Sequence, residues 1–410
     1  MKSRSERHFV ERLRMEILSR MNDSGKTPLL SLSSLLWVLS LFYGSVLKVR
    51  KTLDERGMIR AKKLTCAVIS IGNITLGGTG KTPMVVYMAK FITRLGFRAA
   101  VLSRGYRGLS EKTGGVVSDG LSIRMTPEES GDEPYMLAGR LTGIPVLVGR
   151  DRYAMGKRAI REFATEVLIL DDGFQHTALF RDLDLVLLDS RALFGNGHLF
   201  PRGILREPVS ALRRADALII TKIDPAERHE ADFGELKKRG GFEGKPIFRS
   251  LHTPFFYRLT GRKPAKCDPS HVYGKKIVAF SGIAQNADFR DTLERYGCKI
   301  ASFHPFADHH PYTDAELEHI WQDAKEAFAE FVVTTEKDYS RIQGRIQNKP
   351  ELLIVGIRVS IMDEERLFTF ISRHLMNRFP ASRNRVSGYP IRSSVESADP
   401  KGDVLGHHQP

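Results

Sequence analysis

The chain has 410 residues, 41% of them hydrophobic, with a formal net charge of +15 and a pI near 9.7. That fits a globular protein long enough for two domains of ordinary size, and its basic excess narrows the partners to nucleic acid, an anionic membrane surface or an anionic substrate. No basic run is interleaved with aromatics and no zinc-finger spacing occurs, which makes nucleic acid the weakest of the three; Cys66, Cys267 and Cys298 are too far apart for a disulfide framework or a metal cluster and suit a reducing, cytoplasmic setting.

Residues 1–28 are charged and polar, with helical potential around Phe9, Leu13, Ile17 and Leu18. Residues 29–47 carry no charge and are long enough to suggest a membrane helix. On a helix they are two-faced. Leu32, Leu35, Leu36, Leu39, Phe42, Tyr43, Val46 and Leu47 share one side, while Ser33, Ser34, Ser40, Gly44 and Ser45 fall largely on the other. Lys26 precedes the run and Lys48, Arg50 and Lys51 follow it. A helix lying in the membrane interface, a spanning helix and a buried core helix all fit over 29–51. A cleavable signal peptide does not, because the apolar run starts late and no small-residue cleavage site follows.

The next stretch organises the chain. The apolar run Ala67-Val-Ile-Ser-Ile71 predicts a buried parallel strand. Gly72-Asn-Ile-Thr-Leu-Gly-Gly-Thr-Gly-Lys-Thr82 follows, then a helical pattern through Met84, Val85, Met88 and Phe91. Strand, glycine turn, Lys-Thr and helix make a phosphate-binding loop over Thr75, Leu76, Gly77, Gly78, Thr79, Gly80, Lys81 and Thr82. Backbone N–H groups would face phosphate oxygens, Lys81 would reach the outer phosphates, and Thr82 would place its hydroxyl on Mg²⁺. The strict pattern wants glycine where Thr75 stands.

Apolar runs near 99–102, 146–148, 167–170, 185–188 and 217–220, with helical patterns between several of them, predict a doubly wound parallel sheet over 52–224. Residues 225–275, rich in Gly, Lys, Arg and Pro, read as a connection between domains with one short strand at 247–251. A second alternation over 276–380 predicts a smaller α/β domain, and 381–410 has the composition of a disordered tail.

Several stretches carry chemistry. Asp171 and Asp172 end an apolar strand, where an acid completes or orients a Mg²⁺ shell; Gln175 and His176 follow at once. Arg104 and Arg107 follow the second strand and suit anionic groups. Asp132 opens a helix, as a general base or as an N-cap, and position alone favours the cap. The pair His309 and His310 after Asp308 fits metal binding, acid–base work or plain surface. Thr221-Lys-Ile-Asp224 is similar to the guanine-reading motif of GTPases, with Thr for Asn.

Taken in order, Gly72 to Thr82, Ser103-Arg-Gly-Tyr106, Asp132-Glu-Pro134, Asp171-Asp-Gly-Phe-Gln-His176, Arg202-Gly-Ile-Leu-Arg-Glu-Pro208, Asp308-His309 and Thr335-Glu-Lys-Asp338 resemble the tetraacyldisaccharide 4′-kinases of lipid A biosynthesis. The resemblance spans residues 29–375, and the family tolerates a hydroxyl residue at position 75. It implies two α/β domains, ATP as phosphoryl donor, Mg²⁺, and the 4′-hydroxyl of a tetraacylated glucosamine disaccharide 1-phosphate as acceptor. It also implies a place at the cytoplasmic face of the bacterial inner membrane, with the N-terminal helix reaching the lipid. An anionic glycolipid and the membrane surface are then the partners; no nucleic acid and no protein partner is implied. By motif, Asp132 resembles the catalytic base and His309 its partner. Lys81 and the loop hold phosphate, and Thr82, Asp171, Asp172 and Glu207 serve the metal. Arg104, Arg152, Gln175 and His176 face substrate. The rival class is a GTP-dependent switch or metal chaperone reading guanine through Thr221 to Asp224.

Overall fold

The computed structural model describes residues 31–58, 60–224, 240–260, 263–346 and 352–379, together with Met21. The polar segment expected over 1–28, apart from Met21, the tail over 381–410 and the first part of the connection, 225–239, lie outside the described residues. The chain forms two compact units, each assembled from three segments: Met1–Lys63, Ser70–Lys81 and Gly173–Leu251 in the first, Leu64–Ile69, Thr82–Asp172 and His252–Pro410 in the second.

The first unit opens with helix α1 (Leu32–Glu55). Ser31 caps it by accepting the Ser34 N–H, and the Ser34 hydroxyl returns to the Ser31 N–H, so the pair closes a capping box without an acidic residue. The helix runs past the expected 29–51 and keeps Lys48, Arg50 and Lys51 on regular turns. Ser33, Ser40 and Gly44 from the expected polar side face inward, but so do Leu36 and Tyr43 from the expected apolar side, while Ser45 is exposed. Ser40 donates to Leu199 O at 2.8 Å and accepts from the Arg202 N–H at 2.9 Å. The Tyr43 hydroxyl donates to Arg206 O at 2.9 Å, and a side chain at Gly44 would meet Leu199 at 3.0 Å. Leu35, Val38, Phe42, Val46 and Val49 point outward, with Phe42 71% exposed. A core helix would bury that face.

Strands β1 (Ala67–Asn73), β6 (Leu183–Asp189) and β7 (Ala217–Thr221) are buried along their whole length. This is why they read as unbroken apolar runs: a parallel strand covered on both faces has no polar side. The unit's strand order is β1-β6-β7-β8, using the last residues of β1 and the first of β8 (Ile247–Thr260), with β7 parallel to both β6 and β8. Ile74, Phe174, Val186, Leu188, Leu205 and Leu218 share one apolar cluster beneath the end of β1.

In the second unit β2 (Ala99–Ser103), β4 (Val146–Val148) and β5 (Val167–Asp171) run parallel in the order β5-β2-β4, and β3 (Gly115–Ser118) adds antiparallel to β4. Helices α2 (Lys81–Arg94, from Thr82 on), α3 (Pro127–Ser130), α4 (Asp132–Arg140) and α5 (Arg152–Phe163) belong to this part. The chain then continues through β9 (Lys263–Cys267), β10 (Lys276–Ser281), α6 (Asn286–Arg295), β11 (Lys299–Pro305), α7 (Asp314–Glu326), β12 (Phe331–Thr335), α8 (Glu336–Ile342), β13 (Leu352–Ile361) and α9 (Glu364–Arg378). Here β11-β10-β12-β13 are parallel neighbours. Helix α9 packs back on α2: the Tyr87 hydroxyl donates to Glu364 at 2.8 Å and Phe91 meets Phe368 edge-on.

Three differences from the sequence reading have local reasons. The stretch 225–275 holds ordered structure, because β8 is 14 residues long and pairs antiparallel with β9. Pro254 obscured it; that proline falls between the residues registered to β7 and those registered to β9, where a missing N–H breaks neither ladder. The short β3 carries only Val116 and Val117 as an apolar signal. Both β3 and β9 make the sheet mixed rather than purely parallel.

Gly72 sits where the β1 end passes under Phe174; a Cβ there would meet Phe174 Cβ at 2.6 Å and its backbone N at 2.8 Å. Backbone cannot give way as a side-chain tip can, so Gly72→Ala should cost about 1–3 kcal/mol. Urea denaturation should show a lower midpoint with an unchanged m-value.

Candidate active site

The phosphate loop is built in the first unit. The chain leaves β1 at Asn73 and turns through Gly77 (φ 103°) and Gly80 (φ 82°), conformations that favour glycine, whereas Gly78 is not in the left-handed region. Thr75 bridges to Leu205, and the Leu76 N–H donates to Ile204 O at 2.7 Å, so the loop leans on the 202–208 segment. Lys81 is the last residue of this segment of the first unit and the first of α2. Gln175 donates to Asn73 O at 2.8 Å, and His176 O accepts from Arg181 at 2.7 Å. Glu207 is buried and takes a 2.7 Å ion pair from Arg214. Thr221, which the rival reading gave to guanine, is buried and donates its hydroxyl to Thr79 O at 2.9 Å; Lys222 pairs with Asp189 at 2.7 Å.

The second unit holds Thr82 in the first turn of α2 and the acidic end of β5. Asp171 is buried and accepts from the Ser103 hydroxyl at 2.9 Å; Asp172 adopts φ 51° as the strand ends. Arg152 lies buried beside them, donating to Gly149 O at 3.1 Å and to Asp171 O at 3.5 Å, while its Nε has no hydrogen-bond partner among the described residues. Burial pulls the Arg152 pKa down to about 10, with the charges of Asp171 and Asp172 acting the other way. Arg104 is exposed and pairs with Glu111 at 2.7 Å.

A third group gathers around Asp132, also within the second unit. Gly131, at φ 88°, is the N-cap of α4 and makes no side-chain cap bond; Asp132 is the first helical residue, so the capping role that position alone favoured is not the one found. Its Oδ2 instead accepts from Arg341 Nε at 2.7 Å and lies 2.8 Å from His309 Nδ1. His309 takes φ 63° in the turn after β11, and its N–H is tied to Gly282 O at 3.2 Å. Lys337 Nζ stands 3.2 Å from His309 Nε2 and donates to Asp308 at 3.0 Å. A carboxylate only accepts and an ammonium only donates, so these two neighbours assign the His309 proton to Nδ1 and a lone pair to Nε2. His310 stays apart, stacked on Phe306 and bonded to Glu316 at 3.0 Å.

Arg341 is the residue that sequence reasoning missed. It also donates to Asp338 at 2.8 Å and to Gly282 O at 3.1 Å, and Asp338 is itself held by Tyr312 and Thr335. The signal was present, since Lys337 and Arg341 stand four apart on α8 and share a helix face.

A family model described as tetraacyldisaccharide-1-P 4′-kinase (LpxK) matches residues 32–376. This chain belongs to the tetraacyldisaccharide-1-P 4′-kinase family. It is 47% identical over 315 residues to the tetraacyldisaccharide 4′-kinase of Syntrophus aciditrophicus, covering 74% of this chain and 83% of the relative. To that of Desulfatibacillum aliphaticivorans it is 40% identical over 349 residues, covering 83% and 92%. The crystal structure of LpxK from Aquifex aeolicus in complex with ATP is similar with a TM-score of 0.68 and 34% identity, covering 84% of this chain and 100% of that one. The kinase fold expected from the sequence, a phosphate-loop α/β protein with an apolar N-terminal helix, is the fold found.

In this kinase the electrostatics at Asp132 have a readable sign. Burial opposes the ionised carboxylate, but the hydrogen bond with His309 and the charge and hydrogen bond of Arg341 outweigh it, so the Asp132 pKa lies below the ordinary carboxylate value. A depressed folded pKa means stability that is present above the unfolded value, near pH 4, and lost as pH falls through the folded one. Asp132→Asn should therefore cost about 1–3 kcal/mol at pH 7, with the gap to wild type closing below pH 4. Thermal melts from pH 2 to pH 7 measure it; a gap independent of pH would deny the ionised pairing.

Proposed function

We infer that the chain transfers the γ-phosphoryl group of ATP to the 4′-hydroxyl of a tetraacyldisaccharide 1-phosphate, at the cytoplasmic face of a bacterial inner membrane. The observation that carries the chemistry is the Asp132 carboxylate held at 2.8 Å from His309 and 2.7 Å from Arg341. A sugar hydroxyl needs an acceptor for its proton, and Asp132 is that acceptor, with His309 and Arg341 fixing its direction. The bond from the 4′-oxygen to the γ-phosphorus forms, the bond from that phosphorus to the bridging oxygen breaks, ADP leaves, and the proton ends on Asp132. A low pKa suits this step: a loose phosphoryl-transfer transition state asks little base strength of the enzyme and much positioning.

Residues 52–224 carry the donor side of this reading. Gly77, Gly78, Thr79 and Gly80 and their neighbours cradle the phosphates, and Lys81 neutralises charge that grows on the transferring group. The Thr82 hydroxyl and the Asp171 and Asp172 carboxylates are hard oxygen donors that would hold Mg²⁺; when bound, the ion would neutralise phosphate charge. Glu207, already paired with Arg214, supports that region at one remove. Arg152, with one N–H unpartnered, suits a phosphate oxygen. Arg104, Gln175 and His176 stand on the substrate side. Residues 276–380 supply His309.

The outward apolar face of α1, followed by Lys48, Arg50 and Lys51, supports seating on an anionic membrane where the glycolipid lies.

A phosphoryl-transfer assay with γ-labelled ATP and the tetraacyldisaccharide acceptor tests the reaction. Label should appear on the 4′-oxygen, ATP should outcompete GTP, and Lys81→Ala should lower kcat by about 100-fold or more without lowering the melting temperature. Lys81→Ala turnover near the wild-type rate, or a preference for GTP, would refute the assignment.

Phe42→Glu places a charge on the outward face of α1 without touching its inward bonds. Liposome flotation should weaken and KM for lipid should rise, with KM for ATP unchanged. Equal flotation by this variant and wild type would show that α1 is not the membrane contact.

A further inference from the structure

We propose that Asn73 is a positioning residue for the phosphate loop, and that helix α1 holds it through Arg206 and Gln175. The inference rests on the reading of residues 75–82 as an ATP phosphate cradle.

Asn73 is the last residue of β1 and is fully buried. Its Nδ2 donates to Thr75 O at 2.7 Å and to the Thr79 hydroxyl at 3.0 Å, so one amide ties both arms of the loop. Its Oδ1 accepts from Arg206 Nη1 at 3.1 Å, and its backbone oxygen accepts from Gln175 Nε2 at 2.8 Å. The amide orientation follows from chemistry, since a carbonyl only accepts and a guanidinium only donates. Thr221 adds a second tie, to Thr79 O at 2.9 Å. A loop that binds phosphate with its N–H groups has to turn carbonyls outward and keep them satisfied. Asn73 and Thr221 satisfy two of them, at Thr75 and Thr79.

Both residues that hold Asn73 are themselves bonded to α1. The Tyr43 hydroxyl donates to Arg206 O at 2.9 Å, and Arg50 Nη2 donates to Gln175 O at 2.7 Å. The seating of α1 and the curvature of the loop are thus joined by two short hydrogen-bonded chains that meet at Asn73, one at its Oδ1 and one at its backbone oxygen. A change at the inward face of α1 should be read in nucleotide affinity, not only in lipid affinity.

The test uses the full chain with a non-hydrolysable ATP analogue in titration calorimetry, and steady-state kinetics alongside. Asn73→Asp cannot donate to Thr75 O; it should raise the analogue Kd and KM for ATP about tenfold, the scale of one lost hydrogen bond, with KM for lipid within twofold. Thr79→Val removes the second acceptor and should move the same way, and Thr79→Ser, which restores the hydroxyl, should recover most of the affinity that Thr79→Val loses. Should Asn73→Asp fail to fold, the Thr79 pair decides on the other bond of the same amide. Tyr43→Phe should raise the analogue Kd about two- to fivefold and add nothing in the Asn73→Asp background. Analogue affinity within twofold of wild type in Asn73→Asp or Thr79→Val, even with a lower melting temperature, would make Asn73 a packing residue. A Tyr43→Phe effect confined to KM for lipid, or one that multiplies with Asn73→Asp, would remove α1 from the chain of contacts. Wild-type protein that binds no ATP analogue would instead sink the cradle reading beneath both.

Discussion

A carboxylate that is largely withdrawn from water yet must stay ionised is the constraint on which the second unit turns. Asp132 loses hydration as α4 begins, and only donors of fixed direction can replace it. Arg341 supplies a guanidinium N–H and His309 a ring N–H, each within hydrogen-bond reach. Arg341 in turn has to be held, by Asp338 and by Gly282 O, and Asp338 has to be satisfied by Tyr312 and Thr335. The ordering of α8, of the turn after β10 and of the loop carrying His309 follows from that one charge. His309 is uncommon in adopting left-handed backbone, a strain that its N–H bond to Gly282 O helps hold.

Helix α1 reverses the usual arrangement of an amphipathic helix. A surface helix normally buries its apolar stripe and wets its polar one. Here Ser33, Ser40, Tyr43 and Gly44 face the protein beside Leu36, and Ser40 and Tyr43 serve backbone groups of the 199–206 segment that leucine could not. Leu35, Val38, Phe42, Val46 and Val49 are left outside, where the protein interior does not take up their hydrophobic free energy.

The same economy of partners shapes the phosphate loop. Its bend depends on glycine at positions 77 and 80, but glycine only permits the conformation. Selection among permitted conformations comes from outside the loop, through the amide of Asn73, the hydroxyl of Thr221 and the backbone of the 202–208 segment. Gly72 shows how close that support lies, with Phe174 filling the space a methyl group would need.

The features that sequence alone determined are those whose physical signal is local. Buried parallel strands must be apolar on both faces, so β1, β5, β6 and β7 were legible as runs. The glycine turn between β1 and α2 was legible from its composition, and Gly77 and Gly80 do take positive φ there. Helical periodicity separated most of α1 into an apolar and a small-polar side, though Leu36 and Tyr43 face the protein and Ser45 does not. Tertiary structure decided what depends on partners far along the chain. Periodicity separates the faces of α1 but cannot say which one meets Leu199 and Arg206, more than 150 residues away. Position made Asp132 look like a cap, because His309 and Arg341 lie 177 and 209 residues further on. Strand β9 and the far half of β8 carry no unbroken apolar run, and only their pairing with each other makes them strands. Local chemistry sets what a segment can be; which of those possibilities is occupied depends on where the folded chain brings its donors and acceptors.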